Sequence, residues 1–133
     1  MRKIKFRGLD RSGIWHYGAF AETINTSGKL YNMPSSLCAF IIDAHYDDKV
    51  ELFYEFVGIE TVGQYTGLID KNGKEIYGGD ILKIISNQKG LVGWSEEFAG
   101  FVLIVNRMLY PFEGLPELLE IIGNIHQNPE LME

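Results

Sequence analysis

Cysteine is almost absent from this 133-residue chain, which contains only Cys38. A single thiol cannot form an internal disulfide, so the composition argues against a disulfide-stabilised domain and predicts a reducing, cytoplasmic setting. The neighbours in SSLCAFII are apolar and include no histidine or aspartate that would activate the thiol. We therefore expect Cys38 to be a packed side chain rather than a nucleophile.

Long apolar runs are also missing. No run approaches the roughly 18 residues that a membrane-spanning helix requires. The N-terminus, MRKIKFRG, is basic, but the apolar run of a signal peptide does not follow it. We expect neither a membrane partner nor a secretion signal.

Proline is scarce, with four residues against fifteen glycines, seven tyrosines and eight phenylalanines. This mixture is typical of β-strands that tight turns connect. The length fits a single domain that buries roughly two-thirds of its unfolded surface. The composition therefore predicts a mainly β fold in one domain, residues 1–133.

The first half, about residues 1–62, reads as a hairpin-rich sheet. KIKFR alternates polar and apolar residues, and IWHYGAF follows after the turn LDRSG as a hairpin partner. KVELFYEFV alternates as well. SSLCAFIID is a continuous apolar run that fits a central strand or a buried helical turn.

The second half, about residues 63–133, contains about five short strands with turn signals between them from Gly63 to Val105. This spacing predicts a small Src-homology-3-like barrel with few short helices. For residues 116–125 we prefer a strand over roughly 119–125, and a helix from Pro116 is the alternative. The expected barrel core is Tyr65, Leu68, Ile69, Ile76, Ile81, Ile84, Val92, Trp94, Phe101, Leu103 and Ile121.

The segment GQYTGLIDKNGKEIYGGDIL, residues 63–82, resembles a calcium loop at its centre. An EF-hand beginning at Asp70 would place Lys74 at a ligand position and Ile81 where the bidentate glutamate belongs. A phosphate-binding loop would need a helix after Gly79, but a strand pattern follows. We therefore interpret the segment as two successive turns between strands.

Asp43, His45 and Asp47 in DAHYDD alternate, so an extended backbone would project all three to one face. Carboxylate and imidazole groups suit zinc, manganese or iron, and a solvated polar turn is the competing interpretation. His16 and His126 lie in no recognisable triad setting. We expect no cofactor and no enzymatic activity, while a metal-dependent enzyme centred on DAHYDD stays a third hypothesis.

Charge is uneven, with five basic residues and one acid among the first eleven positions of a chain of net charge -6. On the predicted first strand, Lys3, Lys5 and Arg7 would share one face that could follow a nucleic-acid backbone. The alternatives are an edge strand that lysines protect from aggregation, or one that pairs with acidic segments.

The segments IKFRGLDRSGIWHYG, VGQYTGLIDKNGKEIYGGDIL, GLVGWSEEFAGFVL and EIIGNIHQNPEL together resemble the YopX family of bacteriophage and prophage proteins. The resemblance covers about half the chain directly. It departs at Gly8 and Leu9, where many members look like Ala-Trp. It implies a small, mostly β phage protein of Gram-positive bacteria, from a family of unknown function, and no catalytic or ligand residues can be carried over.

The leading hypothesis is a non-catalytic accessory protein that self-associates or binds a host or phage protein. The basic first strand and the acidic remainder could meet head-to-tail in a homo-oligomer. The alternative hypothesis is a nucleic-acid-binding module in phage replication or regulation, with Lys3, Lys5 and Arg7 as its contact residues.

Overall fold

The computed structural model describes residues 3–24, 37–46, 50–112 and 118–133. The chain divides into two compact units, Ile4–Gly63 and Gln64–Glu133, and Lys3 belongs to the second of these. The described residues are mainly β in antiparallel pairing, with only short 3₁₀ segments, Ile59–Thr61, Ile85–Asn87 and Pro129–Met132, as helices. None of these described helices is long and apolar enough to cross a bilayer. The mainly β expectation is confirmed, and the expectation of a single domain stays a prediction.

The first unit is an antiparallel sheet with strand order β4-β3-β2-β1. Its strands are β1 (Phe6–Leu9), β2 (Trp15–Ile24), β3 (Leu37–Tyr46) and β4 (Val50–Val57). β1 and β2 pair with Leu9 opposite Trp15, so the predicted hairpin is confirmed. The SSLCAFIID run forms part of β3 and is a strand.

The core of this first unit is small. Ala39, Ile41 and Val57 are buried, and Phe6, Phe20 and Val62 pack against them. The alternation in KIKFR predicts a first strand that begins too early, because the strand in the structure begins at Phe6. Ile4 lies before the strand and is 71% exposed, so it does not share the buried face of Phe6.

The second unit contains the hairpin of β5 (Gly63–Ile69) and β6 (Glu75–Tyr77), together with a five-stranded sheet. The sheet consists of β7 (Asp80–Lys83), β8 (Lys89–Ser95), β9 (Gly100–Val105), β10 (Met108–Pro111) and β11 (Glu120–Asn124). Its order is β10-β9-β8-β7-β11. The order is open, and a closed barrel is absent from the described residues, so the Src-homology-3-like barrel is not confirmed. The preferred strand within residues 119–125 is confirmed as β11.

The core of the second unit lies on one face of this sheet. Its buried members are Ile76, Leu82, Val92, Leu103, Val105 and Leu119, and Leu68, Ile84, Phe101, Phe112 and Ile121 pack against them. Tyr65 and Ile81, also expected in the core, are buried as well.

Two expected core residues are exposed instead. Gly67 has a φ of 86°, and the pairing of β5 with β6 is irregular between Tyr65 and Ile69. This bulge changes the alternation, so Leu68 packs inward and Ile69 is 48% exposed. Trp94 lies near the end of β8, where its ring meets Phe101 edge-on at 5.1 Å and remains 55% exposed.

Candidate functional site

The turn at Asp70, which resembled a calcium loop, is built around one buried carboxylate. Asp70 Oδ1 accepts hydrogen bonds from the backbone amides of Asn72 and Lys74, at 2.8 and 2.9 Å. Its Oδ2 accepts from the amide of Ile121 at 3.0 Å, which joins the turn to β11. Gly73 completes the turn at a φ of 82°. Both carboxylate oxygens are occupied by the protein's own backbone, so the carboxylate serves the fold.

The charge state of Asp70 follows from these contacts. Burial raises the pKa of this carboxyl group, but the amides of Ile121, Lys74 and Asn72 and the nearby Lys74 charge outweigh it. The net result is a pKa below the ordinary value. Asp70 is therefore ionised at neutral pH and is unsuited to act as a general acid.

The second turn lies at Gly79 and Asp80. It contacts another part of the chain, so that YGGD and GNIHQNP, two stretches that carry the family resemblance, lie side by side. Asp80 is 1% exposed and accepts a hydrogen bond from the amide of Tyr77 at 2.8 Å. Gly79 accepts at its carbonyl from the amide of Ile125, at 2.9 Å. A side chain on Gly79 would come within 3.3 Å of the His126 ring, at a φ of 93°. The His126 ring therefore lies beside this turn.

The three residues of the predicted basic face do not present their side chains alike. Lys3 is exposed and Lys5 is half-buried. Arg7 is only 6% exposed, and its guanidinium carbon lies 4.2 Å from the centre of the Trp15 ring. Nucleic-acid binding at this face stays a prediction, but Arg7 is placed for packing on Trp15 rather than for contact with a phosphate.

The predicted metal triad is only partly described. Asp43 and His45 lie two residues apart in β3, and Asp47 lies outside the described residues. Within the described ranges, no group of three or more ligand-type side chains could hold a metal ion. Cys38 also belongs to β3.

A polar groove in the first unit was not foreseen as a site. It has a volume of about 410 Å³ and is lined by Trp15, His16, Tyr17, Ile41, Asp43 and Glu55. We call it the β2–β4 groove. An adjoining groove shares Glu55 and includes Asp10, Arg11 and Ser12. The alternation in the sequence of β4 predicts a strand, but the proximity of Glu55 to Asp43 follows only from the pairing of β3 with β4.

His16 is oriented within this groove by the preceding turn. Its Nε2 lies 2.8 Å from Asp10 Oδ2, while Asp10 Oδ1 accepts from the amides of Ser12 and Ile14. The hydrogen bond with His16, followed by those of the two amides, lowers the pKa of Asp10. The pair thus combines a carboxylate of lowered pKa with an imidazole.

The outer edge of the five-stranded sheet exposes apolar side chains. In β10, Met108 is 61% exposed, Leu109 40% and Tyr110 49%. We call these three residues the β10 edge patch. The strand follows a two-residue turn in which Asn106 and Arg107 have φ of 50° and 66°, as a type I′ hairpin turn requires. Sequence reasoning missed β10, although an asparagine between apolar runs was the available signal.

Comparison with known proteins finds a matching family and a similar solved structure. A family model described as "YopX protein" matches residues 6–133. The chain is also similar to the crystal structure of protein EF1440 from Enterococcus faecalis, with 23% identity over 100% of both chains and a TM-score of 0.55. At that identity the likeness shows the fold alone. Comparison with curated proteins finds no significant match.

Proposed function

Because the chain belongs to the YopX family, we propose that it is a non-catalytic, cytoplasmic accessory protein of a phage or prophage that acts through contact with protein. Its first partner is a second copy of itself. The observation that carries this proposal is the β10 edge patch, since water-exposed methionine, leucine and tyrosine on a sheet edge favour association with protein.

The geometry of the hairpin supports pairing with a second copy. In a two-residue hairpin the closing pair, here Val105 and Met108, exchanges hydrogen bonds across the ladder. The alternation then directs the backbone groups of Met108 and Tyr110 toward β9 and those of Leu109 and Pro111 outward. Two copies of β10 can therefore pair antiparallel about Leu109, in a self-complementary contact.

The contact would depend on side chains more than on the backbone. Pro111 has no amide hydrogen, so the outward edge of β10 offers only the Leu109 amide as a donor. The apolar surface of Met108, Leu109 and Tyr110 supplies the remaining contact.

The test is the mass of the purified protein by light scattering across a wide range of concentrations. We expect a mass about twice the 15.1 kDa of one chain, and we expect Tyr110→Lys to lower it to that of the monomer. Tyr54→Lys is the matched control, because Tyr54 is 57% exposed in the other unit and should leave the dimer intact. A monomeric wild-type protein at every concentration would overturn self-association.

A further inference from the structure

A cleft of about 530 Å³ lies in the second unit, where the turn between β7 and β8, the turn between β9 and β10 and the last residues of the chain come together. Its lining includes the cations Lys89 and Arg107 and the apolar side chains of Ile104, Leu131 and Met132. We call it the Lys89–Arg107 cleft. Cations beside an apolar wall suit a group that carries both negative charge and aliphatic surface.

Strand register places this cleft on one face of the five-stranded sheet. Leu91 lies directly opposite Ile104 in the β8–β9 pair, so Lys89, two residues before Leu91, projects from the same face as both. The C-terminal 3₁₀ segment supplies the other wall. A Cβ atom on Gly123 of β11 would lie 2.8 Å from Cδ1 of Leu131, so this segment packs closely against the sheet.

Like charges meet at this end of the sheet. Lys83 lies directly opposite Lys89 in the β7–β8 pair, and both side chains are exposed. Two like charges in this arrangement destabilise an antiparallel pair. Glu120 lies opposite Lys83 on the other side, but its Oε2 is 3.1 Å from Nζ of Lys71. This end of the sheet therefore keeps an excess of positive charge in a chain of net charge -6, and an anion from outside the chain would relieve the repulsion.

The cations of the cleft are available to such an anion. Within the described ranges, the side chains of Lys89 and Arg107 form no ion pair or hydrogen bond. Glu133 is the one acid among the described lining residues, and it pairs with neither cation. Asn106 and Arg107 form the hairpin turn between β9 and β10, so Arg107 is held at the rim of the cleft by a defined backbone geometry.

We propose that the Lys89–Arg107 cleft binds an acidic side chain of a partner protein. The carboxylate would lie between Lys89 and Arg107, and the aliphatic surface next to it would lie against Leu131 and Met132. A nucleic-acid backbone fits less well, because it needs a longer row of cations than one cleft contains. This inference rests on the proposed function as a protein-binding molecule, but it uses residues other than those of the β10 edge patch.

A direct test titrates the isotopically labelled full-length protein with an acetylated tetraglutamate amide and follows its resonances by NMR. The backbone amide resonances of Lys89 and Asn106 should shift, whereas the indole N–H resonance of Trp15, in the other unit, should not. Unchanged resonances of Lys89 and Asn106 at low ionic strength would overturn the proposal. Equal shifts with inorganic phosphate at the same concentration of charge would show a site for small anions and would overturn a protein partner.

Charge-neutral variants test the two cations. We expect Lys89→Gln and Arg107→Gln each to weaken binding of the peptide several-fold, while circular dichroism reports an unchanged fold. Arg11→Gln removes the same charge from an exposed position in the first unit and should bind the peptide as the wild type does. Equal weakening by Arg11→Gln would show attraction by charge alone and would overturn a specific site, as would full binding by both cleft variants.

Glu133 gives a test of opposite sign. Glu133→Gln removes the acid from the lining of the cleft, so it should strengthen binding of the peptide. Glu97→Gln removes the same charge from an exposed position elsewhere in the second unit and should leave the affinity unchanged. Equal strengthening by the two variants would indicate reduced repulsion over the whole protein and would contradict a contact in the cleft.

The outcome is distinguishable from failure of the proposed function. Lys89→Gln should retain the mass of the dimer, because Lys89 belongs to β8 rather than to the β10 edge. A wild-type protein that binds the peptide but stays monomeric at every concentration would contradict only the self-association at β10. A dimer that does not bind the peptide would contradict only the cleft.

Discussion

At the scale of the residue, Asp70 and Asp80 show how buried carboxylates can organise turns. Both lie in a glycine-rich segment that resembles a ligand-binding loop, and both are at most 5% exposed. Their partners include backbone amides, at Asn72, Lys74 and Ile121 for Asp70 and at Tyr77 for Asp80. An ionised carboxylate is a stronger acceptor for such donors than a neutral group is.

We predict that Asp70→Asn lowers the free energy of unfolding by about 2 kcal/mol at neutral pH, because an amide has only one oxygen for the three backbone donors. The folded pKa of Asp70 is lowered, so its contribution is complete above the ordinary pKa and is lost as the pH falls through the lowered value. Urea unfolding at neutral and strongly acidic pH should therefore show the variant and the wild type converging in acid.

The control for this measurement is Glu97→Gln, which removes a carboxylate at an exposed position. Its free energy of unfolding should stay close to that of the wild type at both pH values. A difference between Asp70→Asn and the wild type that persists unchanged in acid would contradict a role for the ionised carboxylate.

The close packing of Gly8 against Val57 explains why glycine stands at position 8, where many family members look like alanine. A Cβ atom on Gly8 would lie 2.7 Å from Cγ2 of Val57, well inside the normal contact distance. Val57 belongs to the small core of the first unit. Glycine at position 8 and valine at position 57 therefore form a matched pair, and an alanine at position 8 requires Val57 to shift.

At the scale of the element, alternation and turn residues predicted most strands. The hairpin of β1 and β2, strand β4 and the turn at Gly73 follow from local patterns that two-residue periodicity and glycine detect. Ile69 and Trp94 were misplaced because a bulge and a strand end depend on pairing partners rather than on local sequence. The β2–β4 groove was missed for the same reason, since it joins residues from three strands.

Pro111 occupies the next position of β10, after Leu109, whose backbone groups point away from the sheet. Proline has no amide hydrogen, so this position cannot donate a hydrogen bond to a neighbouring strand. We predict that Pro111→Ala strengthens association, since it adds a backbone donor to an edge that already presents Leu109. The folded monomer should change little in stability, because the side chain of Pro111 is exposed. Light scattering should show a larger mass, or the same mass at a lower protein concentration, than for the wild type.

Pro129→Ala is the matched control for Pro111→Ala, because Pro129 is exposed at the start of a 3₁₀ segment rather than on a sheet edge. Its association should equal that of the wild type. If both proline variants associate equally, the edge of β10 is not the contact.

At the scale of the whole molecule, the net charge of -6 weighs against nucleic acid as the partner. The chain carries 18 acidic and 12 basic residues, and Arg7 packs on Trp15. Phosphate binding depends on several exposed cations acting together, since each neutralised phosphate adds to the affinity. Burial of Arg7 leaves the predicted basic face with Lys3 and Lys5, which is too few to offset the net charge.

We therefore predict that the protein does not retard single- or double-stranded DNA or RNA in gels, even at about 50 mM salt, where electrostatic binding is strong. The contrary result would be retardation that Lys3→Glu and Lys5→Glu abolish while Lys89→Glu, at an exposed position of β8, does not. That pattern would assign the contact to the N-terminal lysines and would replace protein with nucleic acid as the partner. Retardation that all three variants weaken equally would instead indicate a diffuse attraction, without a contact surface at the first strand.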